Sequence, residues 1–245
     1  MKNFKLILEY DGTAYNGWQR QAEEPTVQAE IERALGRMTR STVTVIGAGR
    51  TDAGVHALGQ VANFRCDTRL VPEEILKGLN SLLPRDIAVR DCRSAPEGFH
   101  ARFDAKSKLY HYRILNRDTR SAVARNYAWF IHRPLNVRAM GQAAECLVGQ
   151  HDFKAFENSG SPRAHTVRNV MRATWVEEQD RRLAFQIEAD GFLRAMVRNI
   201  VGTLVAVGLG RLDPSEMEVI LAGQDRRRAG ATAPARGLFL LEVKY

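Results

Sequence analysis

Cysteine is scarce in this chain: three residues in 245, Cys66, Cys92 and Cys146, far apart and odd in number. Without a C-x-x-C pair they argue against a disulfide framework or a cysteine zinc site, and they read as thiols of a reducing compartment. The six histidines form no H-x-x-x-H or similar ligand set, so no metal is expected. No stretch approaches the ~20 apolar residues that a membrane-spanning helix needs. The opening MKNFKLILEYDG has neither the long apolar core nor the small-residue cleavage site of a signal peptide. A soluble, cytoplasmic protein with no membrane partner is expected. Also missing are a low-complexity tract, a linker and any internal sequence repeat.

What is present is a foldable, basic chain. Hydrophobic residues make up 44%, enough for one large domain or two small ones. The formal net charge is +8 and the isoelectric point is near 9.7. A polyanionic partner follows, although charge alone does not separate RNA, DNA and acidic membrane.

The first half reads β-α-β-β-α-β, a split βαβ unit. Strands are expected at 4–10, 43–48, 59–65 and 87–93, and helices at 26–38 and 72–82. Thr26 is the expected N-cap of the first helix, and Pro72 opens the second. From about residue 105 the order of elements loosely repeats. Strands are expected at 107–116, 126–131, 170–177, 183–189 and 238–244, with helices at 137–147, 192–208 and 213–222. The fold class is therefore α+β: two similar halves, 1–105 and 106–245, forming a continuous, mainly antiparallel sheet with helices on one side.

The most informative stretch is GAGRTDAGVHA at 47–57. Three glycines after a β-branched run mark a loop that turns sharply or approaches something closely. The spacing does not match G-x-x-x-x-G-K-[ST], so a nucleotide-phosphate loop is a weak reading. A rigid strand delivering a carboxylate, Asp52, and a guanidinium, Arg50, is a common way to build a reaction site. The alternative is a turn aspartate bonded to its own backbone. Upstream, YDGTAYNGWQRQ at 10–21 mixes aromatic, amide and cationic groups suited to stacking on bases and gripping phosphates, or to packing Trp18 on the core. Arg198 lies among apolar residues in MVRNIVGTL, a setting in which a charge seldom lacks a partner.

These motifs, with FHARFDAKSKLYHYRI at 99–114 and the ending APARGLFLLEVKY, resemble the tRNA pseudouridine synthase A family over essentially the whole chain and in that family's order. The resemblance implies isomerisation of uridine to pseudouridine in the anticodon stem-loop of tRNA, at positions 38, 39 and 40, by a homodimer that uses no cofactor. It implies Asp52 as the catalytic residue, Tyr110 as the group that stacks on or bonds to the target base, Arg198 as the partner of Asp52, and Arg50 holding the extruded nucleotide. Leu109 stands where the family often has a basic residue, which puts a nearby phosphate contact in doubt. Arg20, Arg102, Lys106, Arg163 and Arg168, with His100 and His165, are candidate RNA contacts. A non-catalytic tRNA-binding protein is the alternative.

Overall fold

In the computed structural model, residues 1–158, 160 and 165–245 are described. The chain forms two compact units: residues 1–106 joined by 239–245, and residues 107–238.

The first unit follows the expected order. Strand β1 (Lys2–Tyr10) leads through a short 3-10 turn to helix α1 (Val27–Thr39), the short strand β2 (Val45–Gly47), the long strand β3 (His56–Cys66), helix α2 (Pro72–Leu82) and strand β4 (Ile87–Ala95). Along β1 the residues alternate, and Phe4, Leu6 and Leu8 are fully buried. Phe4 stacks on Phe64 of β3 at 5.3 Å. Val27, Ile31 and Leu35 recur on one face of α1, as Ile75 and Leu79 do on α2, and all five are fully buried. Each such side chain contributes roughly 1.5–3 kcal/mol by leaving water. Strand β1 is central, pairing antiparallel with β3 on one side and β4 on the other. The start of α2 matches its sequence: Pro72 opens it, and the Glu74 carboxylate accepts the Val71 N–H at 2.9 Å. Thr26 does not cap α1; its hydroxyl is buried and makes no hydrogen bond. The entry to α1 is held instead from a preceding loop, through Val27 N–H to Gly17 O and Gln28 N–H to Trp18 O.

The second unit contains β5 (Ser107–Asn116), β6 (Trp129–Ile131), α3 (Val137–Glu145), β7 (Gly149–Asp152), β8 (Val167–Glu178), β9 (Arg182–Ala189), α4 (Met196–Gly208) and α5 (Glu216–Gly223). Its strands pair in the order β5-β9-β8-β7, all antiparallel, with β6 running parallel to β5. Tyr110 faces Ile187 and Tyr112 faces Phe185 across the β5–β9 ladder, so the two tyrosines share one face. Helix α4 begins four residues later than expected, because Ala195 is left-handed (φ 58°) and cannot extend the helix backwards. Strand β6 starts at Trp129, since residues 124–126 form a 3-10 turn. Strand β7 was not foreseen; at four residues with two glycine- or histidine-flanked polar positions it has almost no alternating signal. The last strand, β10 (Leu238–Lys244), places Phe239 and Leu240 parallel to His56 and Ala57 of β3. The chain is thus α+β, with mainly antiparallel pairing.

Candidate active site

Asp52 sits at the start of a tight turn whose other members leave it little freedom. Val55 N–H donates to Asp52 O at 3.1 Å, and Gly54 takes φ 76° at the turn position that favours glycine. Behind the turn, the fully buried Gln60 donates to Gly49 O at 2.8 Å. The Tyr10 and Thr51 hydroxyls are hydrogen-bonded at 2.9 Å. Burial pushes the Tyr10 phenol up to about 12, so it stays neutral in that bond. Asp52 itself is half-buried, whereas Arg50 is exposed.

A second loop, residues 11–20, clamps the first. Trp18 N–H donates to Thr51 O at 3.1 Å, and Gly54 N–H donates to Tyr15 O at 3.2 Å. Two glycines permit this approach. A Cβ on Gly17, which also holds φ 86°, would lie 2.4 Å from Thr51 O; one on Gly12 would lie 2.0 Å from Val55 O. Only glycine lets two backbones run this close. His56 ties the near end of the clamp. Its Nδ1 lies 3.1 Å from both Gly12 N and the Asp11 carboxylate, and its ring stacks on Phe239 at 4.6 Å.

The far end of the clamp is tied to α1. Gln28 accepts from Arg20 N–H and from the Gln19 amide, both at 2.8 Å, and donates to Glu32 at 2.9 Å and to Val45 O at 3.0 Å. Glu32 in turn accepts Val45 N–H at 2.9 Å. Trp18 is buried, and a Cβ on Gly47 would lie 2.5 Å from its ring. Trp18 is therefore core and not a stacking surface.

In the second unit, Tyr110 is buried and meets Phe192 edge-on at 4.9 Å. The Tyr112 hydroxyl donates to Pro234 O at 2.7 Å. Arg198 is half-buried on α4, and its Nε–H donates to Ala233 O at 2.8 Å while Ala233 N–H returns to Arg198 O at 3.1 Å. The first of these bonds anchors the guanidinium at Nε, and the second ties the segment to the helix backbone. The segment making it is itself fastened to α4: Arg226 donates to Asn199 Oδ1 at 2.9 Å, and Gly230 N–H donates to Thr203 Oγ1 at 2.8 Å. A Cβ on Gly202 would lie 1.7 Å from Ala231 O, so a small residue in the helix is what admits the segment.

The candidate RNA contacts fall in several places. Arg20 projects from the clamp with 57% of its side chain exposed and pairs with Glu32 at 3.0 Å. Arg102 and Lys106 are exposed, Arg102 lying 5.5 Å from the ring of Phe103, and His100 stacks on that same ring at 4.2 Å. Arg168 is half-buried and donates to Val167 O at 2.5 Å, and His165 is exposed. Arg163 lies outside the described residues. Sequence reasoning missed Gln28, Glu32, Gln60 and the clamp. The available signal was a pair of polar residues, Gln28 and Glu32, four apart beside the apolar face of α1. Among the described residues no group of three or more His, Cys, Asp or Glu could hold a metal ion, and no helix is long and apolar enough to cross a membrane.

A family model described as tRNA pseudouridine synthase matches residues 6–104 and 143–245. Curated relatives named tRNA pseudouridine synthase A are 47% identical in Thermoanaerobacter sp. (strain X514), 45% in Acetivibrio thermocellus and 46% in Geotalea daltonii, each covering 100% of this chain and of the relative. Among solved structures, an archaeal box H/ACA Nop10–Cbf5 complex aligns over 97% of this chain and 46% of its own, at 11% identity and a TM-score of 0.32. The family match and the named relatives together define an enzyme of the isomerase class. More narrowly, the chain belongs to the tRNA pseudouridine synthase family.

Proposed function

We propose that the enzyme converts uridine to pseudouridine in the anticodon stem-loop of tRNA, at positions 38, 39 and 40, with Asp52 as its catalytic carboxylate. The observation that carries this reading is the clamp. A carboxylate that must meet one ribose and one base gains from a platform whose backbone is fixed before the substrate arrives, and the Asp52 turn is hydrogen-bonded to the 11–20 loop at both Thr51 and Gly54. The names of the relatives support tRNA as substrate. The family resemblance supports the anticodon positions, a homodimer and a cytoplasmic location.

The reaction breaks the N1–C1′ bond, turns the uracil and forms a C5–C1′ bond. The C5 proton is lost and N1 gains one, so atoms balance without a redox carrier or ATP. Asp52 can add to C1′, add to C6 of the base, or take the C2′ proton. Tyr110 carries the base: its ring offers stacking, and its hydroxyl offers a group for the C5 proton. Arg50 holds the extruded nucleotide, and Arg198 offsets the charge of the carboxylate. Extruding the base costs about a few kcal/mol of stacking, recovered at Arg50 and Tyr110. Arg102, Lys106, Arg163 and Arg168 are weaker candidates for backbone contacts.

The test is incubation with unmodified tRNA transcripts, followed by carbodiimide-blocked primer extension. Stops at positions 38–40 are expected. Stops only elsewhere would contradict the assigned positions. Tight tRNA binding without product would favour the non-catalytic binder.

A further inference from the structure

An open cleft of about 470 Å³ lies in the first unit, between α1 and the residues that follow that helix, and the Asp52 turn contributes nothing to it. Three guanidinium groups line it, those of Arg20, Arg33 and Arg40, together with the hydroxyl-bearing Thr42. Arginines presenting planar forks suit phosphate oxygens. The acids nearby are already engaged. Glu30 pairs with Arg33 along the helix. Glu32, with 7% of its side chain exposed, accepts from Val45 N–H and Gln28 and meets Arg20 Nη1 at 3.0 Å. A buried carboxylate thus grips one corner of the Arg20 guanidinium while most of that side chain stays in solvent. Such anchoring lowers the ordering cost of a long side chain when a ligand takes its free edge. Arg40 closes α1 with φ 54° and ψ 31°, a left-handed cap position at which glycine or asparagine is the usual residue. A long cation stands there instead, among the residues that line the cleft.

We propose that this cleft grips the phosphodiester backbone of the RNA substrate, separately from the uridine site, and that Glu32 is a positioning residue that sets the Arg20 fork. The proposal rests on the tRNA reading above. Its role is to fix the register of the stem beside the target nucleotide, through contacts that carry no base sequence.

The test uses the whole protein and unmodified tRNA, titrated between 50 and 200 mM salt, roughly the range over which phosphate contacts show themselves. Arg40→Asn removes one charge and suits the left-handed backbone. It should flatten the plot of log affinity against log salt by about 0.7–0.9. Arg20→Gln should do the same, with the loss carried by KM more than by kcat. Glu32→Gln keeps the hydrogen-bond acceptor for Val45 and removes the charge that orients Arg20. It should weaken binding as much as Arg20→Gln does, and the Arg20→Gln/Glu32→Gln double variant should be no weaker than either single. Wild-type affinity and slope in both arginine variants would overturn the cleft. Additive losses in the double variant would overturn the positioning role of Glu32. Failure of the wild-type protein to bind or modify tRNA would instead sink the tRNA reading, and this site with it.

Discussion

Gly17→Ala tests the clamp where it is tightest. The added Cβ would lie 2.4 Å from Thr51 O, about 1 Å inside ordinary contact, on a backbone at φ 86°. The left-handed conformation costs alanine about 1 kcal/mol more than glycine, and the overlap adds roughly 1–3 kcal/mol of the kind seen on overpacking. The sum, about 2–4 kcal/mol, corresponds to roughly 5–15 °C in Tm for a chain of this size. The atom struck is a backbone oxygen one residue before Asp52, so relief requires the loop to move. A displacement of about 1 Å in a reacting group costs on the order of 10²-fold in rate. The assay is tritium release from tRNA carrying 5-tritiated uridine, read alongside a thermal melt. Gly98→Ala is the control, because a Cβ there meets nothing within 4 Å. A Gly17→Ala enzyme that melts early yet, well below its Tm, turns over within threefold of wild type would refute the link between clamp and carboxylate.

Further tests reach other parts of the structure. Tyr110→Phe should keep the edge contact with Phe192 and form the C–C bond, yet release tritium slowly, while Tyr110→Leu should fail at both; wild-type release by the Phe variant would leave Tyr110 as a stacking platform only. The buried Tyr10 phenol is raised from 10.0 to about 12, so the unfolded chain loses this proton first. Its contribution to stability is complete below pH 10 and is lost as pH rises to about 12. Denaturant melts across that window should fall less steeply for Tyr10→Phe than for wild type, and equal slopes would contradict the burial argument. With a net charge of +8, tRNA affinity should fall steeply with salt; a flat dependence would contradict a phosphate-dominated interface.

Local signals served the sequence reading well. Period-two alternation located β1 and β5, and the apolar stripes of α1 and α2 identified the faces that are buried. The glycine-rich GRTDAGVHA stretch is indeed a sharp turn. Its last two residues, however, are strand, since β3 already begins at His56. The clamp was not legible because its meaning is non-local. Gly12 and Gly17 look like ordinary loop glycines until Val55 and Thr51 are seen to press against them. Gln28 and Glu32 look like solvent-facing helix positions until the backbone of Arg20 and Val45 arrives to bond with them. The late start of α4 turns on the left-handed conformation of Ala195, which alanine does not advertise.

The most direct test of the central claim is the chemistry of Asp52→Asn. The variant keeps the size of the side chain and leaves the backbone bond from Val55 to residue 52 in place. With saturating tRNA and deamidation excluded by mass spectrometry, tritium release should be abolished while tRNA affinity stays within a few-fold of wild type, since phosphate contacts supply most of the binding. Release above about a few per cent of the wild-type rate would contradict Asp52 as the group on which the reaction depends.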